Sequence, residues 1–141
     1  GKFDDAVASF RKTIEFEPKN AKAFEGLAEA YLAKDDIAQA SENIEKSIQL
    51  DAKSSKSYEV KGQIHLKKGE SNEAITNFNT AIKLDPKNAK AHEDLAREFS
   101  KQGNFQEAID ICNKILDADP NCSRTIAALK QEVEMKMKPS A

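Results

Sequence analysis

The sequence predicts an all-α chain, a solenoid of antiparallel helix pairs, and three observations predict it. The first is a repeat: Ala6, Ala40, Ala74 and Ala108 recur every 34 residues, and Pro18, Pro86 and Pro120 fall on the same grid, with Ala52 in the remaining place. Other columns keep the register, among them Phe10, Ile44, Phe78 and Cys112, and Ile14, Ile48, Ile82 and Leu116. The second is period: Phe24, Leu27, Ala28 and Tyr31 lie at i, i+3, i+4 and i+7, which is one face of a helix. The third is punctuation at fixed offsets by proline, glycine and short polar residues, which cuts each unit into two helices.

The elements follow in order. Residues 4–16 read as a helix with Phe3, Val7, Phe10 and Ile14 on its apolar side. Asn20 then supplies an N-cap oxygen for a helix over 21–34, and Ser54 and Asn88 do the same for helices over 55–68 and 89–102. Ile37, Ala40, Ile44 and Ile48 carry the apolar stripe of 37–50, and its 34-residue equivalents predict helices over 71–84 and 105–118. Gly69 and Gly103 mark the turn inside a unit, where positive φ costs glycine least; Asp35 is the exception in that column. Pro86, after Asp85, cannot continue a helix because its ring removes a donor and disfavours helix in the residue before it. Ser123-Arg124-Thr125 repeats the small-basic-small start seen at Ala21-Lys22-Ala23, so a last helix is expected over 123–137, with Ile126, Leu129 and Val133 inward. The chain then divides into a half unit at 1–20, full units at 21–54, 55–88 and 89–122, and a C-terminal capping helix within 123–141.

Composition excludes several classes. The chain has 141 residues, with 24 acidic against 22 basic side chains and a formal charge of −2. No basic block is present to neutralise phosphates, so nucleic acid is not expected as a partner. No apolar run approaches the roughly 18–20 residues of a spanning helix, so no membrane insertion is expected either. Two cysteines do not make a disulfide scaffold and fit a reducing, cytoplasmic setting. A Cys112–Cys122 bridge stays open from sequence, with Cys112 read as a small core residue and Cys122 as the more exposed thiol. Gly1 in place of Met suggests a fragment or processed chain, which leaves the address weakly determined. His65 and His92 sit in packing columns without ligand-spaced companions, so no metal and no cofactor are expected. There is no phosphate loop, nucleophile elbow or H-E-x-x-H pair, and the chain is not expected to be an enzyme.

These columns resemble the tetratricopeptide repeat (TPR) family over nearly the whole chain. The unit 21–54 supplies Phe24, Leu27, Ala28, Tyr31 and Ala40; the unit 55–88 supplies Tyr58, Gly62, Gly69, Ala74, Phe78, Ala81 and Pro86. The unit 89–122 supplies Leu95, Ala96, Phe99, Gly103, Phe105, Ala108 and Pro120. Lys61, His65 and His92 depart from the family pattern, which suggests that the first helix of the middle unit is the least stable. The resemblance implies a right-handed superhelix of about three full units plus a half unit and a capping helix. It also implies a concave groove lined by first helices.

Function is expected to follow that groove: a non-catalytic scaffold binding a protein or peptide segment. Its lining columns read Lys22, Lys56, Lys90 and Arg124; Glu25, Glu59 and Glu93; Glu29, Gln63 and Arg97; and Gly26, Val60 and Asp94. The unbroken basic row makes Lys22, Lys56, Lys90 and Arg124 the leading contacts, for an acidic segment. The clamp by which TPR co-chaperones hold a chaperone's C-terminal carboxylate is not expected, because Asp94 replaces its arginine and would repel the ligand. Relatives in the family include co-chaperones, assembly subunits and self-assembling organelle scaffolds. Two alternatives therefore stand: a homo-oligomeric scaffold associating through the edge at Phe3, Val7, Phe10 and Ile14, and the targeting portion of a larger enzyme.

Overall fold

A computed structural model describes residues 1–122 and 124–138. Within them lie eight α-helices and no strand: α1 Lys2–Phe16, α2 Ala21–Ala33, α3 Ile37–Leu50, α4 Ser55–Lys67, α5 Ser71–Leu84, α6 Ala89–Lys101, α7 Phe105–Ala118 and α8 Arg124–Met137. The expected start of the last helix at residue 123, and the tail 139–141, lie outside the described residues.

Local chemistry sets the ends. Asn20 Oδ1 accepts from Ala23 N at 3.0 Å, Ser54 Oγ from Ser57 N at 3.3 Å and Asn88 Oδ1 from Ala91 N at 3.0 Å, each satisfying an otherwise orphan N–H. The helices starting at Ala21, Ser55 and Ala89 end one residue earlier than the sequence suggests, because Lys34, Lys68 and Gln102 serve as C-caps. The next residue turns the chain with positive φ in every case: Asp35 at 63°, Gly69 at 76° and Gly103 at 83°. Asp35 therefore adopts the glycine conformation of its column despite its Cβ.

Each helix packs on its neighbours in sequence, and a second set of contacts joins α2 to α4, α4 to α6 and α6 to α8. Among the described residues the alternate set, α1, α3, α5 and α7, makes no such contacts. One wall is thus crowded and the other splayed, which curves the stack toward the side of α2, α4, α6 and α8. The core runs along the interface as a string of clusters, around Leu27, Ile44 and Ile64 at one end, Phe78 and Leu95 in the middle, and Cys112, Ile115 and Ile126 at the other. Gly62 permits a close approach: a Cβ there would stand 2.5 Å from the ring of the fully buried Phe78. Both cysteines are free thiols, with Cys112 buried and Cys122 partly so. Burial pushes the Cys112 thiol pKa up and makes it an inert core group.

Candidate functional site

The crowded wall carries the polar chemistry. Serines hold its first joint: Glu25 accepts from Ser54 Oγ at 2.6 Å and from Ser57 Oγ at 2.7 Å, and Ser57 Oγ lies 3.1 Å from Ser47 Oγ, which donates to Ala21 O. This chain crosses from α2 to α4 through the cap that starts α4, so one network both begins a helix and docks it. At the next joint Asn88 Nδ2 donates to Ser55 Oγ at 2.8 Å, and Ser55 Oγ donates to Ala81 O at 2.7 Å.

Next along the wall, Lys56 bridges two carboxylates, Glu59 at 2.9 Å and Glu29 at 3.6 Å. Burial pulls the Lys56 pKa down, but the Glu59 hydrogen bond and the two negative charges outweigh it and the net movement is upward. Glu29 is also raised, by burial first, with Lys56 opposing and the charges of Glu25 and Glu59 adding to it. On α6, Asp94 accepts from Gln63 Nε2 at 3.0 Å and pairs with Lys90 at 3.4 Å, while Glu93 pairs with Arg97 at 3.1 Å. Above these, Leu32, Gln63, Leu66, Lys67 and Lys101 line a cavity of about 400 Å³ with Lys90 and Asp94. It adjoins a second of about 350 Å³ that Glu29, Leu32, Ala33, Gln63 and Lys67 share.

The structure brings the expected residues onto this wall unequally. Lys22, Glu29, Lys56, Lys90, Arg97 and Arg124 are exposed, and Glu25, Gln63 and Glu93 are half-buried. Glu59, only 2% exposed, and Asp94 are buried and face a partner through Lys56, Lys90 and Gln63 rather than directly. Val60 is buried in the core and Gly26 lies against the Phe10 ring, so these two positions look inward, while Asp94 of the same column lines the groove cavity. Leu32, Leu66, Lys67 and Lys101 were not among the expected residues. Continuing the Lys22, Glu25, Glu29 stripe by one helical turn reaches Leu32 and Ala33, and that extension would have found them.

The α1 edge differs from expectation too. Val7 is buried and Phe10 and Ile14 are packed on the core, because α2 covers most of the apolar side of α1; Phe3 alone of the four is well exposed, at 51%. Between α1 and α2 remains a cavity of about 310 Å³, lined by Phe3, Ala6, Phe10, Gly26, Glu29, Ala30 and Ala33. His65 Nδ1 lies 2.9 Å from Glu70 Oε2, and His92 Nδ1 lies 2.8 Å from Asn88 O. Among the described residues no group of three or more His, Cys, Asp or Glu side chains is placed to hold a metal ion, and no helix is long and apolar enough to cross a membrane.

Helix pairs recurring every 34 residues, with glycine against phenylalanine where Gly26 meets Phe10 and Gly62 meets Phe78, and a wall of alternate helices, define a tetratricopeptide-type helical repeat protein. Residues 3–134 match the family described as the Tetratricopeptide repeat protein 21 C-terminal ARM domain, and the chain belongs to that family. No curated protein matches the sequence. Among solved structures the chain is similar to MamA, at 24% identity and TM-score 0.73, over 96% of this chain and 84% of that one. TTC0263, a thermophilic TPR protein in Thermus thermophilus, superposes at TM-score 0.82 and 18% identity over 97% of this chain and 75% of its own. The Arabidopsis OM64 TPR domain gives 0.74 and 15% over 83% and 96%. At these identities the likeness is one of fold, an all-α helical-repeat solenoid.

Proposed function

We propose that this chain is a non-catalytic scaffold that holds a protein segment along the wall of α2, α4 and α6. The observation that supports this reading is the pair of adjoining cavities on the crowded wall, where partly buried Leu32 and Leu66 stand beside charged side chains. A concave surface with a few apolar spots and placed polar groups is what an extended ligand needs to bury area and fix its register. The test is selection of random twelve-residue peptides displayed on phage against the full chain, followed by amide chemical-shift mapping of the tightest binder. Shifts concentrated on the inward positions of α2, α4 and α6 are expected. A binder whose shifts fall on α3, α5 and α7, or a selection that returns none, overturns the reading.

A second reading, self-association, is favoured by the α1 edge. One repeat length along the chain, the equivalents of Phe3, Ala6, Phe10, Gly26 and Ala30 are Ile37, Ala40, Ile44, Val60 and Ile64. There α2 covers the groove, and Ala40, Ile44, Val60 and Ile64 are at most 1% exposed. The same groove between α1 and α2 is open, with a phenylalanine at its rim. A helix-sized apolar face of this kind favours association with a second copy.

A further inference from the structure

The groove carboxylates all have partners, whereas several cations of the wall, Lys22 and Arg124 among them, have no carboxylate within 4.0 Å among the described residues. Glu25 is held by two serines, Glu29 and Glu59 by Lys56, Glu93 by Arg97, and Asp94 by Gln63 and Lys90. An incoming cation would have to compete with these partners and gains little. The cations are less evenly matched. Lys101 has no carboxylate within 4.0 Å among the described residues, and Lys67 has only Asp35 at 3.9 Å, with the two side chains 57% and 76% exposed. A pair that exposed is worth little. Lysines in a last turn do stabilise the helix C-terminus. That accounts for their place in the sequence, but not for both of them lining one cavity with Leu32 and Leu66.

We infer that the partner is a protein segment in which an aspartate or glutamate lies within a few residues of an aliphatic side chain, the aliphatic group seated on Leu32 and Leu66 and the carboxylate between Lys67 and Lys101. The inference rests on the groove reading proposed above and adds its chemistry. The apolar contact supplies burial, and the two amines supply orientation and selection against basic segments. Leu32, Leu66, Lys67 and Lys101 lie at the C-terminal ends of α2, α4 and α6, and Lys90, in the first turn of α6, also lines the cavity. Lys83, exposed on α5 and outside this wall, serves as a control position.

The peptides selected from the random library test this. Their sequences are expected to place Asp or Glu near Leu, Ile or Val. For the tightest of them, the double substitution Lys67→Glu/Lys101→Glu is expected to weaken binding about tenfold or more at low salt, while Lys67→Arg/Lys101→Arg retains it and Lys83→Glu changes it less than about twofold. Raising salt should also weaken it, since both amines are largely in solvent. Both lysines are exposed, and a thermal melt of each variant verifies that the fold persists. Peptides that map to the inner wall but are basic, or lack a carboxylate, or bind the Glu double variant as tightly as the parent, overturn the inference and leave the groove reading standing. Peptides that map to the outer helices, or no binder at all, overturn both.

Discussion

His92 shows how a single residue can depart from its family pattern and still fit. It stands where the first large residue of a unit is usual, is 3% exposed, and holds its Nδ1 against Asn88 O. Burial lowers its pKa below the ordinary imidazole value; the backbone carbonyl opposes this and Lys114 adds to it. The sign follows from linkage: the unfolded chain takes up this proton at higher pH than the folded chain does. Stability is then full above the unfolded value of about 6.5 and falls as pH drops through it toward the lower folded value. Glu29, whose pKa is raised by burial, acts in the reverse direction. Urea midpoints measured between about pH 7.5 and 5.5 should fall for the parent and stay flatter for His92→Phe. Equal slopes in the two proteins would show that His92 does not govern this window. Lys61 and His65, the other departures, also find partners, in Glu45 at 2.7 Å and Glu70.

At the scale of the element, helix starts were legible because capping is local. An Asn or Ser oxygen reaches an N–H three residues on whatever the rest of the chain does, and Asn20, Ser54 and Asn88 do so as their positions suggest. Helix ends were less legible, since Lys34, Lys68 and Gln102 have ordinary helical propensity and only the turn that follows makes them caps. Asp35 is the sharpest case. Its column suggested a glycine turn and its identity did not, and the structure gives it a φ of 63° in common with its two glycine equivalents. A left-handed conformation is unfavourable for any residue with a Cβ, though less so for Asp than for most. Asp35→Gly should therefore stabilise the protein by about 0.5–1 kcal/mol, less a small contribution from the exposed pairing with Lys67. A chemical-denaturation midpoint that moves down instead would mean that Asp35 is better adapted to its turn than its φ implies. The groove shows the same division. Columns near the middle of the first helices were readable, whereas Leu32 and Leu66 look like core residues in a helical stripe. Only the crowding of α2 against α4 and of α4 against α6 shows that their side chains reach a cavity.

At the scale of the whole array, a solenoid buries its core pairwise, and among the described helices α1 and α8 are packed from one side only. The two ends solve this differently. On α8, Ile126, Leu129 and Val133 are buried against α7, and its other positions are mainly Lys, Glu and Gln, with Met135 and Met137 exposed. On α1, the packing of Phe10 shows what is unfulfilled. Phe78, its equivalent, lies on Gly62 of the helix before it and is fully buried; Phe10 leans instead on Gly26 of the helix after it and stays partly exposed beside the open cavity. If a second copy covers this groove, the contact is narrow, one helix pair wide, and well below the roughly 1,600 Å² of a standard interface. Association should then be weak, in the range of tens to hundreds of micromolar. Light scattering behind size exclusion should show a mass that rises above 15.6 kDa only toward high concentration. Phe3→Glu, which places a charge at the rim of the groove without disturbing buried side chains, should hold the mass constant. The limiting mass carries further information. Two grooves meeting each other form a closed dimer and the mass doubles and stops, whereas a groove that accepts another surface of the next copy leaves an open groove at each step and growth continues. A mass that stays at the monomer value through high concentration removes self-association through this edge and leaves the inner wall as the place where this protein meets its partner.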